Sequence, residues 1–142
     1  MRPNTVKRSN SLAVNQYTKV GVQTGVESAS SHRLIQMLLD GALSKISIAG
    51  GHMKRGEIPE KGAHISWAIS IIEGLRSSLN RESGGELAEN LDRLYEYMLR
   101  QLVVANLRND PAVLDEVHGL LAEIRSGWMG IRGVDEPGMA PF

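Results

Sequence analysis

Four segments of this chain repeat apolar residues at helical spacing, and glycine or proline separates each segment from the next. Apolar residues at every third or fourth position form one continuous stripe along an α-helix. No stretch of useful length alternates between apolar and polar residues, as a half-exposed strand would. Four helices of about twenty residues, joined by short loops, pack most simply as an up-down arrangement. The predicted fold is therefore all-α, an antiparallel four-helix bundle.

Capping residues and chain breakers set the ends of the predicted helices. Ser30 or Ser31 can cap a first helix at His32, because a serine hydroxyl accepts a hydrogen bond from a free first-turn N–H. Pro59 suits the first turn of a second helix, where its missing N–H has no intrahelical partner. The other predicted boundaries are Gly56 after the first helix, Gly84-Gly85 after the second, Glu86 at the start of the third, Asn109-Asp110-Pro111 before the fourth, and Gly130 and Gly133 after it.

The apolar rows predict the core of a single domain over residues 29–132, since a chain of 142 residues is a usual length for one domain. Residues 1–28 are rich in polar residues and predict a flexible N-terminal arm. Residues 133–142 show no periodic pattern and predict a flexible C-terminal tail. The predicted core residues are Ile35, Leu38, Leu39, Ala42, Ile46, Ala49, Met53, Ile65, Ala68, Ile69, Ile72, Leu75, Leu79, Leu87, Leu91, Leu94, Met98, Leu102, Ala105, Leu114, Val117, Leu121, Ile124 and Trp128.

Charge and composition argue against a nucleic-acid-binding protein. Sixteen basic residues balance sixteen acidic ones, whereas nucleic-acid-binding domains are usually net basic. The N-terminal arm is basic, which leaves contact with nucleic acid or a membrane surface open, although a solvated tail is the favoured interpretation. The N-terminal region has no apolar run long enough for a signal peptide or a membrane span. We therefore expect a cytoplasmic protein without membrane insertion.

Residue types that carry chemistry occur without the spacing that the chemistry requires. The sequence has no cysteine, and no two of its four histidines lie four residues apart. A single Asp115-x-x-His118 is the nearest approach to a di-iron motif, so we predict no metal site and no cofactor. Gly50-Gly51 and Gly84-Gly85 lack the lysine of a phosphate-binding loop and are interpreted as helix breakers or close-packing points. The protein is predicted not to be an enzyme.

The third predicted helix carries a second ridge, which consists of Leu99, Val103 and Leu107. These residues fall about 100° to 180° from the centre of the core stripe, where a surface helix is normally polar. Excess apolar surface can be covered by the protein's own arm, by self-association or by a partner helix. For each residue alone, ordinary core packing is an equal alternative. For the whole set we predict a binding groove, lined by Met37, Ile48, Trp67, Ile71, Leu99, Val103 and Leu107.

Four blocks of sequence point to a known family. They are Ala29–Ala42, Gly84–Leu91 with the following Leu94–Met98, Ala105–Asp110, and Leu120-Leu121 with Trp128. In this order they resemble the signature of the flagellin export chaperones, the FliS family, from about Tyr17 to Trp128. The family often has proline at the position of Ser31 and tyrosine at that of Leu39, and these differences concern client specificity.

The resemblance implies a cytosolic export chaperone. Such a protein binds the C-terminal helical region of flagellin, prevents its premature polymerisation and delivers it to the flagellar type III export gate without a nucleotide. Family members carry an N-terminal hydrophobic-x-x-Tyr element, matched here by Val14 and Tyr17, which helps to cover the bundle and contacts the export machinery. An anti-sigma factor is a further partner by family analogy. The alternative is a structural or adaptor bundle that self-associates through the same ridge and has no flagellin client.

Overall fold

The computed structural model describes residues 30–131, which form four α-helices. Helix α1 spans Ser31–Lys54, α2 spans Ile58–Ser77, α3 spans Arg81–Arg108 and α4 spans Pro111–Met129. No strand occurs between residues 30 and 131. The prediction of an all-α fold with four helices is confirmed. The predicted arm and tail, with Val14 and Tyr17, lie outside the described residues.

Short polar side chains begin three of the four helices. The Ser30 hydroxyl accepts a hydrogen bond from the N–H of Arg33 at 3.2 Å, as the sequence predicted. Asn80 caps α3 through Ser83, and Asp110 caps α4 through Ala112. Each of these bonds satisfies a first-turn N–H that has no partner within the helix.

The helices run antiparallel, and each packs against two neighbours in the order α1, α2, α3, α4 and back to α1. His32 at the start of α1 contacts Trp128 at the end of α4. Lys61 at the start of α2 likewise contacts Asn109 at the end of α3. The seams α1/α4 and α2/α3 therefore lie on opposite sides of the bundle.

The centre of the bundle is almost entirely aliphatic. Low aromatic content leaves leucine, isoleucine, alanine and methionine to fill it, and side chains from all four helices contribute. The most completely buried large side chains are Leu39, Ile65, Ile71, Ile72, Leu75, Met98, Leu102, Leu114, Val117 and Leu121. Full burial of one such side chain stabilises a fold by about 1.5–3 kcal/mol, so this core accounts for most of the driving force for folding.

A reciprocal contact between His32 and Trp128 closes the α1/α4 seam at one end. The Nε2–H of His32 donates to the Trp128 carbonyl, and the Nε1–H of Trp128 donates to the His32 carbonyl, both at 2.8 Å. The two rings also stack, with their centroids 4.8 Å apart. Trp128 thus buries its large apolar surface while its indole N–H remains hydrogen-bonded, as a buried tryptophan requires.

Lys61 is the only charged or polar side chain among residues 30–131 that is buried alongside the hydrophobic core. Its ammonium group donates to the Asn106 carbonyl at 2.9 Å and to Oδ1 of Asn109 at 2.6 Å. Asn109 ends α3 in the left-handed conformation, with φ of 51°. Lys61 therefore places a positive charge at the negative end of the α3 dipole and fixes the turn between α3 and α4.

The glycine pair at residues 84 and 85 was predicted to separate two helices, but both residues lie inside α3. Helix α2 already ends at Ser77, and α3 begins at Arg81. Gly85 instead kinks α3, with φ of 53° and ψ of −128°. This backbone conformation strongly favours glycine.

Leu87, predicted to be a core residue, is 49% exposed. The next residue, Ala88, is completely buried, and the buried positions of α3 continue at Leu91, Tyr95, Met98, Leu102 and Ala105. This row advances by three and four residues in strict alternation, so at the start of α3 it passes through Ala88 and leaves Leu87 outside it. The prediction for Leu87 was wrong because it placed the start of the core row one residue too early.

Replacing Lys61 with methionine tests its role in the α2/α3 contact. The variant keeps most of the apolar stem but leaves the Asn106 carbonyl and the Asn109 side chain without their charged donor. Because hydrogen bonds to charged groups contribute about 1.5–3 kcal/mol, we expect a loss of about 2 kcal/mol in the free energy of unfolding, measured by urea denaturation. Lys54→Met at an exposed site is the control and should change stability by less than about 0.5 kcal/mol. Equal effects of the two substitutions would contradict the assigned role.

Candidate functional site

The residues predicted to bind a partner lie on two separate surfaces. Met37, Ile48 and Trp67 occupy the outer side of α1 and α2. The second ridge, Leu99, Val103 and Leu107, lies on α3. The side of α2 that faces away from α1 separates the two surfaces, so the structure does not unite the predicted residues in one groove.

Ile71 belongs to neither surface, because only 1% of it is exposed. It was predicted to lie off the core stripe of its helix. Helix α2 contacts α1 on one flank and α3 on the other, and the two contacts together bury a wider arc than a single stripe. Ile71 lies on the α1 flank, four residues after Trp67. Its assignment to a binding surface is therefore corrected to the core.

Trp67 is the centre of the α1/α2 surface and is 50% exposed. The Lys45 ammonium group lies 3.6 Å from the centroid of the indole ring, in a cation–π contact across the seam. His64 stacks beside the indole at 6.5 Å, and His52 stacks on His64 at 5.2 Å. Ile48, which is 39% exposed, lies one turn from both Lys45 and His52. Trp67 is therefore held in place while one half of its surface remains available to a partner.

Met37 extends the α1/α2 surface along α1. It lies eleven residues before Ile48, which is close to three helical turns, so the two side chains leave α1 on the same side. Met37 is partly buried and Ile48 is exposed. The outward side of α1 therefore carries two apolar residues at opposite ends.

Polar contacts tie the histidines of this surface to the α1/α2 turn. Nδ1 of His52 donates to Glu57 at 2.7 Å, and Nδ1 of His64 donates to the Glu60 carbonyl at 3.0 Å. The hydrogen bond from His52, followed by that from Arg55, lowers the pKa of Glu57. The ring positions in the stack are thus set by Glu57, directly before α2, and by Glu60 in the first turn of α2.

The second ridge begins on the outer side of the α2/α3 seam, and its later residues lie on the side of α3 that faces away from the core. Leu99 lies seven residues, or about two turns, from Asp92 and from Asn106, both of which contact α2. Leu99 is therefore on the α2 flank of α3 and packs in part against the core. Val103 is 48% exposed and Leu107 is 81% exposed. The ridge becomes progressively more accessible toward the end of α3.

Charged side chains at the other end of the α2/α3 seam form a small network. Asp92 accepts hydrogen bonds from Arg76 at 2.7 Å and from Arg81 at 2.8 Å. The Arg76 hydrogen bond is the main cause of the lowered pKa of Asp92, and Arg81 contributes in the same direction. Because Arg81 precedes the Gly85 kink and Asp92 follows it, this network also fixes the first turn of α3.

Two features of the structure were missed by the sequence interpretation. The sequence interpretation did not include Lys61 in the core, because lysine is usually exposed. Its position four residues before the core residue Ile65 nevertheless indicated the buried side of α2. Gly50-Gly51 were interpreted as helix breakers or close-packing points, but both lie inside α1. A Cβ at Gly50 would meet no neighbouring heavy atom within 4 Å, so close packing does not explain this glycine.

Neither a metal centre nor a transmembrane helix was found in the described part of the chain. Between residues 30 and 131, no three histidine or carboxylate side chains converge to hold a metal ion. None of the four helices is long and apolar enough to cross a membrane. The accessible features of these residues are apolar surfaces bordered by charges, which are suited to contact with another polypeptide.

Comparisons with known proteins extend over the whole bundle. The family model for the flagellar protein FliS matches residues 13–134. The flagellar secretion chaperone FliSB of Pseudomonas aeruginosa is 55% identical over 119 residues, which cover 84% of this chain and 94% of that protein. The flagellar secretion chaperone FliS of Salmonella typhimurium is 46% identical over 119 residues, with coverages of 83% and 88%. The Bacillus subtilis FliS is 34% identical over 114 residues, with coverages of 80% and 84%.

Asp92 predicts a specific dependence of stability on pH. Its pKa is lowered in the folded protein, so its stabilising contribution is complete above the unfolded value of about 4 and is lost as the pH falls through the folded value. Asp92→Asn should therefore lower the free energy of unfolding by about 1 kcal/mol at pH 7. That difference should become smaller as the pH falls below about 4 and through the folded value, as measured by urea denaturation.

The control for this experiment is Asp115→Asn, because Asp115 forms no hydrogen bond or ion pair among residues 30–131. It should leave stability nearly unchanged at both pH values. A difference between wild type and Asp92→Asn that stays constant from pH 7 to pH 3 would contradict the assigned ionic role.

Proposed function

This chain belongs to the family of the flagellar protein FliS, and from that membership we propose that it is a flagellar secretion chaperone with flagellin as its client. It binds the C-terminal helical region of newly made flagellin in the cytoplasm and prevents premature polymerisation. It then delivers the client to the flagellar type III export gate. Holding and releasing a client requires binding surfaces and no covalent chemistry, so the role is not enzymatic.

The exposed part of the second ridge is the observation that carries this proposal. Val103 and Leu107 present aliphatic surface from the last two turns of α3, on the side where a surface helix is normally polar. Covering such residues contributes roughly 1.5–3 kcal/mol for each fully buried side chain. Their spacing of four residues matches one side of a helix, so a helical client can pack along them.

The α1/α2 surface supports the same function through a different residue type. Tryptophan is strongly enriched among the residues that dominate binding energy at protein interfaces. The contacts of Trp67 with Lys45 and His64 hold its ring in place before binding, which reduces the entropy that a partner must overcome. Met37 and Ile48 supply the surrounding apolar area. We propose that this surface holds a second stretch of the client.

The same ridge could instead join two copies of the chain, as a self-associating structural bundle would require. The two functions differ in a measurable way. Sedimentation of the free protein reports a dimer if the ridge joins copies, whereas a chaperone remains monomeric until flagellin is added.

Substitution of the exposed ridge residues tests the proposed client site. Val103→Glu/Leu107→Glu places two charges where the client packs and should weaken flagellin binding at least tenfold in a calorimetric titration. About 1.4 kcal/mol corresponds to a factor of ten in affinity, which is less than the burial of these two side chains provides. Circular dichroism should still report a folded bundle, because neither residue belongs to the core.

Leu87→Glu/Met129→Glu is the matched control. It adds the same two charges at exposed apolar positions outside the ridge. Leu87 lies near the start of α3, and Met129 is the last residue of α4. This variant should bind flagellin as the wild type does. Unchanged binding by the ridge variant, or an equal loss in both, would exclude the ridge as the client site.

The N-terminal element at Val14 and Tyr17 is proposed to act on the client or on the export gate. Deletion of residues 1–20 removes this element but none of the four helices. We expect unchanged thermal unfolding and at least a threefold change in affinity for flagellin or for the export gate protein. Identical titrations with both partners would show that the element has no part in binding.

A further inference from the structure

A small cavity lies inside the end of the bundle where α1 begins and α4 ends. Each helix contributes to its wall, with Leu39 from α1, Leu75 from α2, Tyr95 from α3 and Trp128 from α4. Leu79, in the turn between α2 and α3, also lines it. The cavity has a volume of about 10 Å³, which leaves room for no more than one water molecule. It is therefore closed in this structure.

Tyr95 makes the closed cavity energetically unfavourable. Only 3% of this residue is exposed, and burial raises the pKa of its hydroxyl. Within residues 30–131 the hydroxyl has no hydrogen-bond partner. A buried hydroxyl without a partner loses the hydrogen bonds that it would form with water. Access of water to this end of the bundle would restore them.

The chain between the end of α2 and the first turn of α3 covers one side of this cavity, and we call its residues 79–84 the lid. Leu79 packs partly against the core. None of residues 80–87 is buried, and the first buried residue of α3 is Ala88. Movement of the lid therefore exposes little apolar surface beyond Leu79 and the cavity wall. Segments with so few buried contacts open at a much lower free energy than the whole fold.

Gly85 separates the lid from the rest of α3. Its φ of 53° and ψ of −128° interrupt the helix after only four residues, Arg81–Gly84. A piece of helix this short is not stable by itself. A Cβ at Gly85 would meet no heavy atom within 4 Å, so the backbone conformation, and not lack of space, accounts for glycine here. Gly85 is therefore a hinge about which the lid can rotate.

One ion pair fastens the lid. Arg81 donates to Asp92 at 2.8 Å, and among residues 30–131 this is the only side-chain hydrogen bond between the lid and the rest of the chain. Asp92 also accepts a hydrogen bond from Arg76 of α2, so it stays in position when the lid moves. The Arg81 side chain is 55% exposed, and exposed ion pairs break at small cost. The contact can thus act as a latch.

We propose that residues 79–84 form a lid that opens about Gly85 and is latched by the contact between Arg81 and Asp92. In the closed state, Leu79 covers the cavity and isolates Tyr95 from solvent. In the open state, water reaches the Tyr95 hydroxyl while the rest of the core remains packed. The reciprocal contact of His32 with Trp128 keeps the opposite side of the cavity closed. This local opening is a property of the fold and does not depend on the proposed function.

A single introduced thiol can report the opening, because the chain has no cysteine. Leu75→Cys places the thiol in the cavity wall, and Leu102→Cys places it in the core outside the cavity. Labelling with a small thiol reagent should be about tenfold faster at residue 75 than at residue 102, and should depend less on urea, because local opening exposes little surface. Leu39→Cys, on the α1 wall, is the second reporter if Leu75→Cys does not fold.

Removal of the latch should increase the population of the open state. In the Leu75→Cys protein, Arg81→Gln should accelerate labelling by about threefold, in keeping with the modest strength of an exposed ion pair. Arg100→Gln is the matched control, because Arg100 forms its ion pair with Glu96 within α3 and outside the lid. It should leave the labelling rate unchanged.

Substitution of the hinge tests the same opening through the backbone. Gly85→Ala strains the closed state without a steric clash, so labelling of the Leu75→Cys thiol should be accelerated by about tenfold. Gly119→Ala in α4 is the control, since Gly119 also has free space at its Cβ position but no positive φ. It should not accelerate labelling.

The outcomes distinguish a local lid from unfolding of the whole bundle. Equal rates and equal urea dependence at residues 75 and 102 would show that the cavity opens only by global unfolding and would overturn the proposal. Local opening that neither Arg81→Gln nor Gly85→Ala accelerates would lie elsewhere in the bundle and would also overturn it. Acceleration by both variants, with unchanged rates in both controls, would support the latched lid.

Discussion

Burial of four apolar rows against one another is the interaction on which the rest of this structure depends. The rows consist almost entirely of aliphatic side chains, and such contacts contribute energy without direction. A core of this kind tolerates small rotations and sliding of its helices. The polar contacts at the helix ends restrict that freedom. The pairing of His32 with Trp128 fixes α1 against α4, and the bonds of Lys61 to α3 fix α2 against α3.

Helical periodicity predicted the number of helices and most of the core because both depend on local sequence. Ser30 and Asp110 cap helices as expected, since a capping bond involves residues only two or three positions apart. The errors arose where the neighbouring helix decides the outcome. Ile71 is buried because α1 covers its flank of α2, and Leu87 is exposed because the buried row of α3 passes through Ala88 instead. Neither fact is contained in the spacing of apolar residues along one helix.

The candidate site was predictable in part for the same reason. Val103 and Leu107 are exposed, as their angle from the core stripe indicated. Their relation to Trp67 was not predictable, because it depends on the order of the helices around the bundle. Gly50-Gly51 were interpreted as helix breakers or close-packing points, but both lie inside α1, and a Cβ at Gly50 would meet no neighbouring heavy atom within 4 Å. The sequence of α1 alone does not show where the facing helix lies, so it could not distinguish these cases.

A protein that exposes apolar surface for a client must also limit contact with copies of itself. The charges around the second ridge address this requirement. Glu96 and Arg100 form an ion pair across one turn of α3, beside Leu99 and Val103, and Arg108 follows Leu107 directly. A second copy that approached with the same ridge would bring like charges together at some registers and desolvate the ion pair. A helix with apolar residues spaced by four and with charges complementary to Glu96 and Arg100 avoids the like-charge contacts and compensates for the desolvation. We propose that the charges beside the second ridge discriminate among partners in this way, while its aliphatic residues contribute the binding energy.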